Sequence, residues 1–305
     1  MPITPCPWNS EVETMKKVVI LGCENSHADT FLKLIQTGNY PEIEVVGVYS
    51  DDRAAAEKLN AAFGVAVMDR YDQAVGQVDG VMVTARHGDN HLKYAAPYIP
   101  SGVPMFMDKP VTVKEAEAVA MMEAMKAAGV RVTGGSSCRH IAEVETLKAE
   151  HEAGTGGKTL GGFVRAPISL KNDYGDFYFY AEHLVDILME IYGWHPESVT
   201  AFQKGEKITV VFHYPDYDVT GLYVDGNYTY YAARHSEEGI HGEILDVTGA
   251  SPCFRLEFEA FYDLLLGGEQ KVKYEDFIAP VFAMNAICRS LESGKTEKLT
   301  EYEVK

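Results

Sequence analysis

The sequence predicts an α/β plus α+β chain, with a parallel sheet in the first half and an open, mainly antiparallel sheet in the second. Three observations carry this reading. Residues 16–133 alternate short apolar runs with helix-period segments across short connections, which implies parallel strands joined by right-handed crossovers. Residues 208–246 instead hold period-two segments separated by turn residues such as Tyr214-Pro215-Asp216 and Asp225-Gly226-Asn227. Finally, 305 residues at 46% hydrophobic are enough to fill two cores.

The elements follow in order. Val18–Gly22 is the first strand, and the helix over 28–36 carries Phe31, Leu32 and Ile35 at helical spacing. Residues 43–49 form a continuous, mainly apolar run with little alternation, as expected of a strand covered on both faces. An alanine-rich helix over 53–63 ends at Gly64. Strands are expected at 65–68, 80–84, 104–107 and 130–133, with helices at 91–98 and 113–128. The texture changes at Gly134-Gly135, where a helix over 141–152 and a glycine-rich loop follow. The second half offers a helix over 179–192, strands at 208–214, 219–224, 228–233 and 240–246, and closing helices at 256–266 and 278–291. The expected domains are a loose tail (1–14), a dinucleotide-binding domain of Rossmann type (15–135), and an α+β substrate-binding and oligomerisation domain (136–305). The C-terminal end of the last is expected to pack back on the first.

Twenty-seven Lys and Arg against 45 Asp and Glu leave a net charge of −18. Such a surface repels phosphate backbones and anionic lipid, which argues against nucleic-acid and membrane partners. The five cysteines are scattered, with no C-x-x-C pair, as expected of reduced cytoplasmic thiols. The histidines show no H-E-x-x-H grouping, and no metal site is expected. The first ten residues lack the basic-then-apolar pattern of a secretory signal.

Three motifs carry chemistry. In Gly22-Cys23-Glu24-Asn25-Ser26-His27 a strand gives way to a helix, where a phosphate loop belongs. Gly22 keeps the first glycine of G-x-G-x-x-G, while Glu24 and His27 replace the other two; Asn25 and Ser26 can donate hydrogen bonds to a pyrophosphate. At the end of the second strand, Asp51 or Asp52 suits the ribose of NAD, Ser50 with Arg53 suits the 2′-phosphate of NADP, and a plain helix cap accounts for the same residues. In Asp108-Lys109-Pro110 a lysine stands at the carboxyl edge of a parallel strand, where ligands bind.

Gly22, the 78–84 strand, His91, Asp108-Lys109-Pro110, Arg139 and His183-Leu184-Val185-Asp186 fall in the order of the glucose–fructose oxidoreductase and inositol dehydrogenase (Gfo/Idh/MocA) family, which the chain resembles over about residues 16–300. The family's Glu-Lys-Pro is Asp-Lys-Pro here. Its acidic residue four positions before the histidine is Phe179, so Tyr178 or Tyr180 is the candidate replacement hydroxyl. The resemblance implies hydride transfer between NAD or NADP and a secondary alcohol or ketone of a sugar, inositol or related polyol. It assigns catalysis to Lys109 and His183, with Tyr180 and Asp186 in support and Asp186 placed to orient the imidazole. Cofactor contacts fall to Gly22, Asn25, Ser26, His27, Ser50, Asp51, Arg53, Thr84, Ala85, Arg86, His91, Asp108 and Lys109, and substrate contacts to Arg139 and Tyr178. Arg86 and His87 either meet an anionic ligand group or lie solvated in their loop. A homodimer through the C-terminal sheet is also implied, and the alternation over 228–233 supports it. The degraded glycine pattern keeps a second reading open, a non-catalytic nucleotide- or sugar-binding descendant of the fold, and a third in which the nucleotide serves elimination or glycoside cleavage.

Overall fold

The computed structural model describes residues 15–248 and 251–305; the tail expected at 1–14 lies outside them. In the first half, strand β1 (Lys16–Leu21) leads into helix α1 (Ser26–Leu34), which closes in a π-helical turn. Then come β2 (Ile43–Tyr49), α2 (Arg53–Phe63), β3 (Gly80–Val83), α3 (Asp89–Ala95), β4 (Met105–Asp108), α4 (Glu115–Ala128) and β5 (Val132–Gly135). These strands form one parallel sheet in the order β2-β1-β3-β4-β5. The inner strands β3 and β4 and most of β1 are buried on both faces, which accounts for their apolar runs, while the edge strand β2 exposes Glu44. The expected strand at 65–68 is only a single bridge, Val48 with Val67. It has four residues between the left-handed Gly64 and the turns that follow, too few to extend a ladder.

The second half contains α5 (Ala142–Ala153), β6 (Thr159–Ile168), α6 (Phe177–Tyr192), β7 (Ser198–Lys204), β8 (Lys207–His213), β9 (Asp218–Asp225), β10 (Tyr231–Ser236), β11 (Gly239–Ile244), α7 (Cys253–Leu265), α8 (Tyr274–Ser293) and β12 (Glu297–Lys298). Its sheet runs β11-β10-β6-β9-β8-β7-β12 and is antiparallel except where β6 lies parallel to β9. Strands β6 and β7 were not expected. Gly161, Gly162 and Pro167 interrupt the alternation of β6, and tertiary pairing with β9 and β10 overrides that weak local signal. The strand expected at 228–233 starts only at Tyr231.

Helix α6 covers the second sheet through Ala181, Leu184, Val185 and Leu188, all inaccessible to solvent. Each such leucine or valine contributes about 1.5–3 kcal/mol by leaving water. The fit demands a glycine beneath: a Cβ on Gly221 would stand 2.8 Å from Leu184. The last two helices join both halves. Along α8, Phe277, Ile278, Val281 and Phe282 enter the core beside β4 and α4, while Ala279, Ala283, Met284 and Ile287 enter the core under the second sheet. Phe258 and Phe261 of α7 pack with Phe31 and Phe106 on the other face of the first sheet. Among the described residues, no helix is long and apolar enough to cross a membrane.

Candidate active site

The carboxyl ends of β1, β4 and β5 open toward the N-terminus of α1 and the first turns of α6. There a cavity of about 290 Å³ is lined by His27, Lys109, Cys138, Tyr180 and His183, among others. A larger cleft of about 930 Å³ lies between His195, Lys273 and Tyr302. Its titratable groups are exposed or half-buried, whereas the smaller cavity holds the buried His27, Lys109 and His183.

Lys109 follows Asp108 at the end of β4, and its peptide to Pro110 is cis. Its ammonium is buried. Nζ donates to the Phe179 carbonyl at 3.0 Å and lies 4.6 and 5.3 Å from the ring centroids of Phe179 and Tyr180. A carbonyl and two aromatic faces thus surround the cation at the point where the family's acid is replaced by Phe179. Burial pulls the Lys109 pKa below its ordinary 10.5, against the opposing charges of Asp108 and Glu182.

His183, on the first half of α6, is 8% exposed. Its Nδ1 shares a 2.6 Å hydrogen bond with Ser136 Oγ, just beyond β5. Burial, reinforced by the positive charge of Lys109, holds the imidazole well below 6.5, so the ring is neutral near pH 7. Asp186 does not touch this ring, contrary to expectation. Its Oδ2 accepts from the Ser136 backbone N–H at 2.7 Å, so it steadies the histidine only through Ser136. Residues three apart on a helix share a face only loosely, and the β5 loop captured the carboxylate.

The other expected site residues divide into three groups. Asn25, Ser26, His27, Arg86, Lys109 and Tyr180 line the cavity with His183. Asp108 sits behind them, accepting from Asn25 Nδ2 (2.6 Å), His27 Nδ1 (2.5 Å) and the Lys109 N–H (2.7 Å). A second group shapes the loop from behind. Gly22 has φ 77° and no room for a Cβ, which would lie 2.5 Å from Ala85; Thr84 Oγ1 donates to the Gly22 carbonyl at 3.1 Å; fully buried His91 bonds the Ala85 carbonyl at 2.8 Å. None of these four reaches the cavity wall.

The third group is engaged elsewhere. Arg139 pairs with Glu190 at 3.0 Å and stacks over Trp194, so it does not line the cavity assigned to substrate. The Tyr178 hydroxyl bonds Asn285 at 3.0 Å, on the side of α6 that faces α8. Asp51 takes hydrogen bonds from Tyr49 and Lys93, Arg53 pairs with Glu57 and Asp69, and Ser50 donates to Glu24 at 2.7 Å. His87 Nδ1 accepts its own loop's Asp89 N–H.

Several cavity residues had not been singled out. Ser137 and Cys138 follow β5 and line the cavity, with Ser136 behind them on His183, and the rule that ligands gather at strand carboxyl ends applies to them as much as to Lys109. Tyr228 and Tyr230, expected in a strand, lie in the loop before β10 and turn to the cavity. Cys253 and Phe254 come from α7 and carry no local signal.

Residues 16–136 match the GFO_IDH_MocA family, described as "Oxidoreductase family, NAD-binding Rossmann fold". This segment is a Gfo/Idh/MocA Rossmann domain. Solved structures extend the likeness across nearly the whole chain. GenD2 from gentamicin A biosynthesis, in complex with NAD, superimposes with a TM-score of 0.84 at 15% identity, covering 98% of this chain and 100% of that one. Myo-inositol dehydrogenase from Corynebacterium glutamicum gives 0.77 at 15%, covering 94% and 100%. The apo scyllo-inositol dehydrogenase from Lactobacillus casei gives 0.78 at 14%, covering 95% and 99%. At such identities the likeness shows that the Gfo/Idh/MocA Rossmann domain and the second sheet together share the fold of these proteins. No curated protein matches the sequence.

Proposed function

We propose that this protein is an NAD-dependent dehydrogenase or reductase acting on a secondary alcohol or ketone of a sugar, inositol or related polyol. One observation carries the reading: Lys109 from the first half and His183 from the second line one cavity. An ammonium has three donors, and Phe179 takes one, leaving two for a substrate oxygen. There the charge stabilises the alkoxide that develops during reaction. With Nδ1 protonated and donating to Ser136 Oγ, Nε2 carries the lone pair that accepts the hydroxyl proton, and returns it in the reverse direction. The hydroxyls of Tyr180, Tyr228 and Tyr230 on the same wall suit a polyhydroxylated ligand.

The residues present fit a dinucleotide. Gly22 provides the tight turn against Ala85, and the N-cap Asn25 spends its side chain on Asp108, which leaves the first amides of α1 free of a side-chain cap. When bound, the nicotinamide ring supplies the hydride acceptor or donor. Glu24 favours NAD over NADP. Its carboxylate bonds Ser50 Oγ at the end of β2 (2.7 Å) and the Arg86 N–H (3.1 Å), so it sets negative charge where a 2′-phosphate would lie. Arg53, the cation expected there, is spent on Glu57 and Asp69.

Fluorescence titration with NADH and NADPH, followed by a polyol screen, tests this. NADH is expected to bind more tightly, E24Q to narrow the gap, and at least one polyol to reduce NAD. Binding without turnover of any polyol would favour the non-catalytic reading. A homodimer through the second sheet belongs to the same proposal. Its support is the exposed Leu160, Phe202, Ile240 and Ile244 on that sheet; Tyr228 and Tyr230 line the cavity instead.

A further inference from the structure

At the floor of the cavity His27, Asp108 and Glu257 converge from α1, β4 and α7. One ligand-capable atom of each lies within 4.8 Å of the other two, and all three residues are buried. Asp108 accepts the Nδ1 hydrogen of His27, so in the neutral ring Nε2 carries the lone pair. That nitrogen faces Glu257 Oε2 at 3.9 Å, beyond hydrogen-bond reach. Glu257 is 1% exposed, and neither of its oxygens accepts a hydrogen bond among the described residues. In that form an imidazole lone pair and a carboxylate oxygen stand 3.9 Å apart, close enough to share one ion.

The surroundings are acidic. Asp108, Glu182, Asp186 and Glu257 are buried carboxylates within electrostatic reach of one another. Asp108 and Asp186 accept backbone or side-chain hydrogen bonds, whereas Glu257 accepts none among the described residues, and a buried carboxylate without a partner is costly.

We propose that His27 Nε2 and Glu257, with Asp108 behind the imidazole, bind a divalent transition-metal cation beside Lys109. Ligands about 2.0–2.2 Å from a shared ion can stand 3.9 Å apart. The carboxylate–histidine–metal arrangement, in which the second ring nitrogen donates to an acid, is how such histidines are held. Imidazole with carboxylate selects zinc-like cations over magnesium or calcium. His27 lines the cavity, so an ion has an entry path.

The test is Co²⁺ titration of the full-length, chelator-treated protein, read by visible d–d absorption, with metal content of the untreated protein measured by mass spectrometry. One equivalent of Co²⁺ is expected, displaced by Zn²⁺. Affinity should fall by about 10–100-fold or more in H27Q and E257Q, with circular dichroism showing both variants folded. D276N, in the exposed His195–Asp276 pair, should bind as the parent does. The proposal is overturned if the parent binds no stoichiometric Co²⁺, or binds it equally in E257Q. It is also overturned if infrared spectra show a protonated carboxyl in the metal-exposed parent that vanishes in E257Q, because a proton then does the ion's work. Neither result bears on NADH binding or polyol turnover, so the two proposals fail separately.

Discussion

Lys109 illustrates how much one side chain depends on what surrounds it. Its ammonium rests on the Phe179 carbonyl and two aromatic faces, so Lys109→Met removes the charge without opening a polar void. We expect kcat to fall by about 10²–10³-fold, the scale of losing one contact to a developing oxyanion, while the thermal midpoint stays close to that of the parent. Ser136 is a positioning residue for His183. Ser136→Ala should lower kcat by about tenfold, the worth of one good hydrogen bond, and move the acidic limb of the kcat/KM profile to lower pH, because the imidazolium loses an acceptor. Ser136→Thr should restore both. Glu182 makes a prediction of opposite character. It is buried, neither of its oxygens has a hydrogen-bond partner among the described residues, and burial, then the charge of Asp186, raises its pKa well above 4.5. The folded protein therefore holds this proton after the unfolded chain has released it. Between 4.5 and the raised value, stability falls as pH rises. Glu182→Gln abolishes that fall, so its melting temperature should exceed the parent's by a margin that grows with pH above 4.5 and closes below it. A constant margin across pH would contradict this account.

Among the elements, the turn between β1 and α1 is the most constrained. Gly22 combines a positive φ with a Cβ position 2.5 Å from Ala85. Gly22→Ala should cost about 1–3 kcal/mol or more, read as a lower urea midpoint, together with weaker NADH binding. Elements with strong internal signals were legible from the sequence: the apolar run of β2, the glycine that ends α2, and the amphipathic stripe of α6 all match local rules. Helix α2 has the residues expected of it. Strand β6 was not legible, because two glycines and a proline hide a strand that neighbouring strands hold in place. The same limit applied at the site. Lys109 was read as a candidate from its place at a strand end, and His183 from the Gfo/Idh/MocA resemblance; both line the cavity. Arg139 and Tyr178 were misassigned because motif order does not say which way a side chain turns.

At the scale of the molecule, α7 and α8 stitch the halves together. Phe282 of α8 stacks on Tyr302 at 3.7 Å, and the Tyr302 hydroxyl bonds the Glu275 carbonyl at 2.9 Å. Tyr302→Ala should lower the midpoint of a single cooperative transition by a loss of about 2–4 kcal/mol. Two separated transitions would mean that the halves unfold independently. The second sheet exposes Phe202 and Ile244, so Ile244→Glu should shift light scattering from twice the mass of the 305-residue chain toward that of one chain.

By itself the sequence determined the layer order, the parallel-then-antiparallel division, the acidic surface and the strand-end lysine, because each rests on periodicity, charge or a neighbour a few residues away. Only the tertiary structure decided that Ser136 rather than Asp186 holds His183, that Glu24 reaches Ser50, and that His27, Asp108 and Glu257 converge. Those contacts join residues dozens to hundreds of positions apart. Their partners are chosen by how helices and strands pack, and no local spacing encodes that choice.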